Sequence, residues 1–98
     1  MPHAFLVEHY RPGITVNDFA AASRRVAAAA LELAAAGRAV RLLHATLVPE
    51  DEAAYCVIEA QGIEDVEATY LAAGVEYERI LPAVEPDAAW PVPSTNGG

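Results

Sequence analysis

Polar and apolar positions along the chain follow two different periods. Four segments alternate between apolar and polar side chains or are rich in branched and aromatic residues, which is typical of strands, because successive side chains of a strand point to opposite faces of a sheet. These predicted strands cover residues 4–11, Val40–Val48, Ala53–Ala60 and residues 77–85. Between them, apolar residues recur three or four positions apart, which predicts amphipathic helices. The predicted core positions are Phe19, Val26, Ala30 and Leu33 in the longer helix and Ile63, Val66 and Tyr70 in the shorter one.

The boundaries of both helices carry recognisable signals. Thr15, followed three residues later by Asp18, resembles a capping box, in which each side chain bonds the backbone N–H of the other residue. Gly37 and Gly74 follow the two helical patterns and predict where the helices end. The acidic segment 49–52 is too polar to be buried, so it is predicted to be a solvent-exposed hairpin turn between the second and third strands.

The resulting order βαββαβ predicts an α+β fold of the ferredoxin-like class, with two helices on one face of a four-stranded antiparallel sheet. The first and third strands, each of which precedes a helix, are expected to be parallel neighbours at the centre of that sheet. Residues 1–85 are assigned to a single domain, since a chain of 98 residues has enough apolar surface for one small core. Residues 86–98, rich in Pro and Gly, are predicted to be a C-terminal tail that is anchored, if at all, by Trp90.

Charge and composition exclude several classes of protein. The chain has 14 acidic and 6 basic residues and a net charge of −8 at pH 7, so it lacks the basic surface that nucleic acids require. No segment approaches the roughly 18 consecutive apolar residues of a membrane span. The N-terminus shows no signal-peptide pattern, which predicts a cytoplasmic protein. Cys56 is the only cysteine, so internal disulfides and zinc ribbons are excluded.

The alternation of side chains divides the predicted sheet into two faces. One face is almost wholly apolar and is expected to lie under the helices, with only His9 interrupting it. Its members are Phe5, Val7, Leu43, Ala45, Leu47, Cys56, Ile58 and Ala60. The mixed face collects Leu6, Glu8, Tyr10, Leu42, His44, Thr46, Tyr55, Val57 and Glu59. The apolar members of the mixed face are too numerous to be left in water, so we expect a homodimer in which a second copy covers it.

The mixed face contains the residues best suited to chemistry. If the first and third strands are parallel neighbours, Glu8 and Glu59 lie side by side about 4.8 Å apart, with His44 one strand away and within reach of Glu59. Two adjacent carboxylates repel each other, so either one pKa rises or a cation lies between them. The three residues then act as an acid–base group, with Tyr10 and Tyr55 as ligand-binding hydrogen-bond donors, or as ligands of a divalent metal.

The register of the hairpin decides which groups His44 joins. Pairing Val48 with Ala53 keeps His44 on the mixed face. A shift of one residue would instead move His44 to the face of His9 and Cys56, which would create a nitrogen and sulfur site suited to nickel or copper. The other pairs that follow from the first register are Thr46 with Tyr55, His44 with Val57 and Leu42 with Glu59.

Purely structural roles account for the same residues. Glu8 and Glu59 at strand ends would be solvated, as acidic residues usually are, and His44 would be a half-buried interface histidine. Cys56 has no evident basic neighbour, so it would be a small buried hydrophobic residue. The sequence leaves these interpretations open beside the chemical ones.

Several short motifs resemble a family of small bacterial ferredoxin-like proteins. The motifs are Phe5-Leu6-Val7-Glu8 leading to Pro12-Gly13, Tyr55-Cys56 after the acidic turn, Glu59-Ala60, and Ala73-Gly74 before the last strand. The family is well represented in actinobacteria, is mostly of unknown function and includes a nickel-binding protein. The resemblance spans residues 4–85. It implies a homodimer of the dimeric α/β-barrel type, with its sheets facing each other, and a site for nickel or another divalent metal.

These observations favour a cytoplasmic, homodimeric ligand-binding protein. Its ligand is then nickel or another divalent metal, or a small molecule, in a cavity around Glu8, His44 and Glu59. The alternative is a cofactor-independent isomerase, cyclase or monooxygenase, in which the same three residues transfer protons on a small cyclic or carbonyl substrate. That alternative rests on the similarity of folds alone.

Overall fold

Four strands and two helices follow one another in the predicted order βαββαβ. The structure, a computed structural model, describes residues 2–84, so the predicted tail 86–98 with Trp90 lies outside the described residues. Compared with the prediction, the first strand begins and ends one residue earlier and the last strand is shorter. The elements are β1 (His3–Tyr10), α1 (Val16–Ala35), β2 (Val40–Val48), β3 (Ala53–Ala60), α2 (Ile63–Ala73) and β4 (Arg79–Ala83).

The strands form one sheet in the order β2-β3-β1-β4, and every neighbouring pair is antiparallel. This arrangement confirms the ferredoxin-like α+β fold and the central position of β1 and β3. The expected parallel pairing of β1 with β3 is wrong. The crossover through α1 returns the chain to the end of the sheet where β1 began, so β2 runs in the same direction as β1. The tight turn that follows reverses the chain, and β3 therefore runs against β1.

Residues singled out by the sequence pattern fix the helix ends. The Asp18 N–H donates to Thr15 Oγ1 over 3.0 Å, and the Thr15 N–H donates to Asp18 Oδ2 over 3.4 Å, so the capping box at the start of α1 is present. Gly74 ends α2 at φ +68°, a left-handed conformation that glycine adopts without steric cost. Both predicted signals are confirmed.

The β2–β3 hairpin keeps its predicted register over the half nearest the turn. Val48 lies opposite Ala53, and His44 has its predicted partner on β3. His44 is therefore on the face of the sheet away from the helices. The alternative register, which would place His44 on the face of the buried residues His9 and Cys56, is wrong.

A β-bulge interrupts β2 farther from the turn. Beyond it, Leu42 lies opposite Ile58 instead of the predicted Glu59, and Arg41 takes the position opposite Glu59. Because a bulge adds one residue to one strand, the side chains beyond it change face. Leu42 consequently packs against the core, whereas Leu43, predicted to lie under the helices, is 43% exposed.

The core lies between the two helices and one face of the sheet. The predicted core positions of α1 are buried except Leu33, which is partly buried against them. Within residues 2–84 the other face of the sheet, here called the open face, is covered by no helix, and neither helix has the length and apolar character needed to cross a membrane. The buried cluster consists of Phe5, Val7, Phe19, Val26, Ala30, Val40, Ala54, Cys56, Ile58, Ala60, Val66 and Tyr70.

Candidate functional site

The strand registers align the side chains of the open face in rows that cross all four strands. The central row, in the order β2, β3, β1, β4, is His44, Val57, Leu6 and Leu81. The row nearer the hairpin turn is Thr46, Tyr55, Glu8 and Arg79. The row on the other side is Arg41, Glu59, Ala4 and Ala83. The open face therefore has a mostly apolar centre between two rows that carry charges.

Glu8 is held by an arginine of the neighbouring strand. Arg79 donates through Nε to Glu8 Oε1 over 2.9 Å and through Nη2 to Glu8 Oε2 over 3.2 Å. These hydrogen bonds and the charge of Glu8 raise the pKa of Arg79 above its ordinary value. Tyr55, a predicted ligand-binding donor, lies directly opposite Glu8 in this row. The Glu8 carboxylate thus forms a bidentate ion pair with Arg79.

Glu59 lies in a different row from Glu8. Its partner is Arg41, whose Nη2 is 3.4 Å from Glu59 Oε1 and whose side chain is 71% exposed. Because β1 and β3 are antiparallel, Glu59 lies opposite Ala4. Ala4 is four residues from Glu8, a distance of about 13 Å along the strand. The expected side-by-side placement of Glu8 and Glu59 is wrong.

His44 is exposed at the β2 end of the central row. Its Nε2 lies 2.6 Å from Oγ1 of Thr46. Glu59 is its diagonal neighbour on β3, a separation that long side chains can span, whereas Glu8 is two strands away. Of the three predicted ligands, His44 and Glu59 therefore lie at diagonal positions of neighbouring strands, and Glu8 lies apart from them. Among the described residues, no group of three His, Cys, Asp or Glu side chains is arranged to hold a metal ion. The ligand and catalytic roles of Glu8, His44 and Glu59 stay predictions.

A cleft of about 460 Å³ opens at the end of the sheet where β1 is followed by α1. It is lined by the end of β1 and the loop after it, by the first half of α1, and by the α2–β4 connection. Tyr10, the other predicted ligand-binding tyrosine, is 55% exposed and lies at this cleft. The lining residues that bear on its chemistry are His9, Arg11, Phe19, Arg25, Glu76 and Tyr77.

His9 connects the cleft with the core. The side chain is only 6% exposed, and its Nε2 lies 2.9 Å from the hydroxyl oxygen of Tyr70 on α2. The imidazole ring also packs edge-on against Phe19, with ring centroids 5.7 Å apart. Burial lowers the pKa of His9, so the ring is neutral near pH 7. Burial likewise raises the pKa of Tyr70, whose hydroxyl stays protonated.

Cys56 lies on the core side of the same contact. Its thiol is fully buried and lies in the same buried cluster as Tyr70. Burial raises the pKa of Cys56, and the neighbouring Tyr70 hydroxyl opposes that shift only in part. A protonated thiol is a poor nucleophile and a poor metal ligand. His9 is thus hydrogen-bonded to Tyr70 and Cys56 is buried in the same cluster as Tyr70, whereas His44, the third member of the proposed nitrogen and sulfur site, is on the other face.

The sequence pattern does not predict the His9–Tyr70 contact. In that pattern His9 is a polar interruption of an apolar face, and Tyr70 is a core position of a helix. The two are 61 residues apart, so no local spacing links them. The usable signal is that both polar groups fall in the same buried layer, where such groups need hydrogen-bond partners.

Comparison with known proteins finds one matching family and one similar solved structure. A sequence model of the family described as nickel responsive protein SCO4226-like matches residues 5–82. No curated protein matches the chain significantly. Among solved structures, the crystal structure of SCO4226 from Streptomyces coelicolor A3(2) is similar, with 23% sequence identity and a TM-score of 0.69. The match covers 88% of this chain and 99% of that one. At this level of identity the likeness supports the fold alone.

Proposed function

The chain belongs to the SCO4226-like family of nickel-responsive proteins, and from this we propose that it is a divalent-metal-binding protein with nickel as its ligand. We further propose that it acts as a homodimer in which two open faces lie against each other. The observation that carries this proposal is the central row of the open face, where three partly buried apolar side chains adjoin the exposed imidazole of His44.

The apolar part of this row favours the dimer. Leu6, Val57 and Leu81 are neighbours across three strands and are only partly buried in a single chain. A second copy placed face to face would remove them from water, a gain of about 25 cal/mol for each Å² of apolar surface covered. The Arg41–Glu59 and Arg79–Glu8 ion pairs flank the row. They would form the polar rim that surrounds the apolar centre of most protein interfaces.

His44 and Glu59 are the proposed metal ligands. An imidazole nitrogen and a carboxylate oxygen are both donors that suit nickel, so the chemistry of this pair fits the metal in kind. Two donors do not complete a site, so we place the metal between two chains, with the same pair from each and water as ligands. The Arg41–Glu59 ion pair is exposed, and releasing Glu59 from it costs little.

Titration calorimetry with nickel chloride tests the ligands. We expect His44→Ala and Glu59→Ala each to weaken nickel binding by more than roughly tenfold, because even the loss of a group that only orients a ligand costs that much. Glu8→Gln is the matched control, since Glu8 is a carboxylate of the same face that is bound to Arg79 two strands from His44. Equal affinity in wild type and both alanine variants would rule out this pair.

Sedimentation velocity tests the interface separately. Leu6→Asp puts a charge in the centre of the open face and is expected to give a folded monomer. Leu31→Asp is the control, because Leu31 is 72% exposed on α1 and lies outside the proposed interface. A wild-type chain that stays monomeric with and without nickel would contradict the dimer.

The enzyme alternative required three groups in one place. Proton transfer by Glu8, Glu59 and His44 depends on their lying side by side, and the antiparallel pairing of β1 and β3 separates Glu8 from the other two. We therefore propose the metal-binding function alone.

A further inference from the structure

The cleft beside His9 is distinct from the proposed metal site. It is lined by the end of β1 and the loop after it, the first half of α1 and the α2–β4 connection, whereas His44 and Glu59 lie on the open face. Its volume of about 460 Å³ falls within the usual range for small-molecule sites. Nothing in the nickel-binding proposal makes use of it.

One nitrogen of His9 is left without a partner beside the cleft. Nε2 lies at hydrogen-bond distance from Tyr70, but Nδ1 has no hydrogen-bond partner among residues 2–84, although His9 is only 6% exposed. Buried polar groups are nearly always hydrogen-bonded. Because His9 lines the cleft, a molecule bound there is well placed to complete its hydrogen bonding.

Aromatic rings lie next to the His9 imidazole. Phe19 packs edge-on against His9, and Tyr70 connects His9 with Tyr77, whose ring centroid is 5.2 Å from that of Tyr70. His9, Phe19 and Tyr77 all line the cleft. Aromatic side chains favour edge-to-face and offset contacts with another ring, so these walls suit a planar aromatic group.

Charges of both signs occur at the cleft on different elements. Arg11 and Arg25, from the β1–α1 loop and from α1, form no salt bridge with any residue that the structure describes. Glu76 and Glu78, from the α2–β4 connection, also have no salt-bridge partner there. Asp18 is already engaged in the capping box. Arginine pairs well with a carboxylate, and glutamate with an ammonium group.

We propose that this cleft binds a small aromatic zwitterion of the amino-acid class whose ring carries a hydrogen-bonding substituent. The ring lies among Phe19, Tyr77 and His9, and its substituent completes the hydrogen bonding of His9 Nδ1. The carboxylate pairs with Arg25 and the ammonium with the glutamates of the α2–β4 connection.

L-tyrosine is the probe for this proposal, because it carries all three recognised groups. Three relatives each lack one of them: L-phenylalanine the ring hydroxyl, tyramine the carboxylate, and 3-(4-hydroxyphenyl)propionate the ammonium. Titrations use the full chain treated with EDTA, since amino acids chelate nickel, so the outcome is independent of the metal proposal. We expect saturable binding of L-tyrosine and roughly tenfold weaker binding of each relative, the loss for one hydrogen bond to a charged or buried group.

The ring nitrogens of histidine give a readout that needs no variant. Long-range ¹H–¹⁵N spectra report each imidazole separately, and saturation with L-tyrosine should shift Nδ1 of His9 while leaving the rings of His3 and His44 unchanged. Shifts at all three rings, or at none, would overturn the proposal.

A pair of adjacent arginines provides a matched variant test. Arg25 lines the cleft, whereas its neighbour Arg24 is exposed on the same helix and does not. Arg25→Ala should weaken L-tyrosine binding roughly tenfold, with Arg24→Ala unchanged. L-tyrosine that fails to saturate, binds no better than L-phenylalanine, or responds equally to both substitutions would overturn the proposal.

Discussion

At the scale of single residues, the buried side chains with polar groups include His9, Thr69, Tyr70 and Cys56. His9 is buried on the sheet, and its contacts with Tyr70 and Phe19 place it between the sheet and both helices. A charged imidazole would lose its hydration in this position, which is why burial lowers the pKa of His9. The folded protein therefore keeps His9 neutral at a pH where the same side chain in the unfolded chain begins to take up a proton.

The buried neutral histidine makes stability depend on pH. In the unfolded chain His9 takes up a proton near pH 6.5, whereas the folded protein binds it only at lower pH. The free energy of unfolding should therefore be highest above pH 6.5 and fall as the pH drops from 6.5 toward the lowered pKa. Urea unfolding of His9→Gln between about pH 5.5 and pH 7.5 should show a smaller loss than wild type. His44→Gln leaves His9 in place and should keep the wild-type loss, so a similar loss in His9→Gln would refute this assignment.

Removing the Tyr70 hydroxyl is expected to lower the free energy of unfolding more than removing the Tyr77 hydroxyl. Tyr70→Phe leaves Nε2 of His9 without its partner, which should destabilise the fold by about 1–3 kcal/mol. Tyr77→Phe is the control, because Tyr77 is 36% exposed and its hydroxyl forms no side-chain hydrogen bond within residues 2–84. It should cost less than about 0.5 kcal/mol. Chemical denaturation of both variants checks the difference, and equal losses would contradict it.

At the scale of elements, the β2–β3 turn is fastened to the loop between β1 and α1. Glu52 ends a short 3₁₀ turn, Pro49–Asp51, in the left-handed conformation at φ 52°. Its carboxylate accepts a hydrogen bond from the N–H of Gly13 at 2.8 Å, and its carbonyl accepts one from the N–H of Arg11 at 3.0 Å. The acidic turn therefore has a structural role, because Glu52 fixes the loop that contains Arg11 at one edge of the cleft.

Two substitutions separate the backbone and side-chain contributions of Glu52. Glu52→Ala loses the bond to Gly13 and keeps a left-handed conformation that costs an L-residue about 1–2 kcal/mol, whereas Glu52→Gly loses the same bond and removes that cost. The glycine variant should therefore be more stable than the alanine variant by about 1 kcal/mol. The same two substitutions at Glu50, which has no positive φ, should not show this order. Thermal unfolding of the four variants provides the measurement.

Most helices and strands could be predicted from the local sequence pattern, whereas the relative direction of β1 and β3 and the bulge in β2 could not. The bounds of β2 and β3 follow from runs of branched and aromatic residues, and the start of α1 follows from the Thr15 capping box, because these signals lie within a few residues of the structure they specify. The direction of β1 relative to β3 depends on the crossover and the hairpin together. The bulge that turns Leu42 inward depends on packing under the helices. The first error placed Glu8 beside Glu59 in the predicted site, and the second placed Leu42 on the mixed face.

At the scale of the whole molecule, the net charge opposes the proposed association of two open faces. The chain has a net charge of −8, with six arginines against 14 acidic residues. Within residues 2–84, three arginines form ion pairs: Arg38 with Asp65, Arg41 with Glu59 and Arg79 with Glu8. Two of these pairs lie on the open face, so the charge of the proposed interface is nearly balanced while the rest of the surface is acidic. Two such chains repel each other at long range.

This balance predicts that salt strengthens the proposed dimer. Added ions shorten the screening length from about 30 Å at 0.01 M to about 10 Å at 0.1 M, which suppresses repulsion between the acidic surfaces and leaves apolar contact at the open face largely intact. Sedimentation equilibrium should therefore show a dissociation constant that falls over this range. Replacing Glu32 and Glu67, both exposed on the helices, with Gln should flatten the dependence because it removes negative charge away from the proposed interface. A dimer that weakens with salt would instead mean that Arg41, Arg79 and their glutamates exchange partners between chains, so that opposite charges rather than the Leu6 row hold the sheets together.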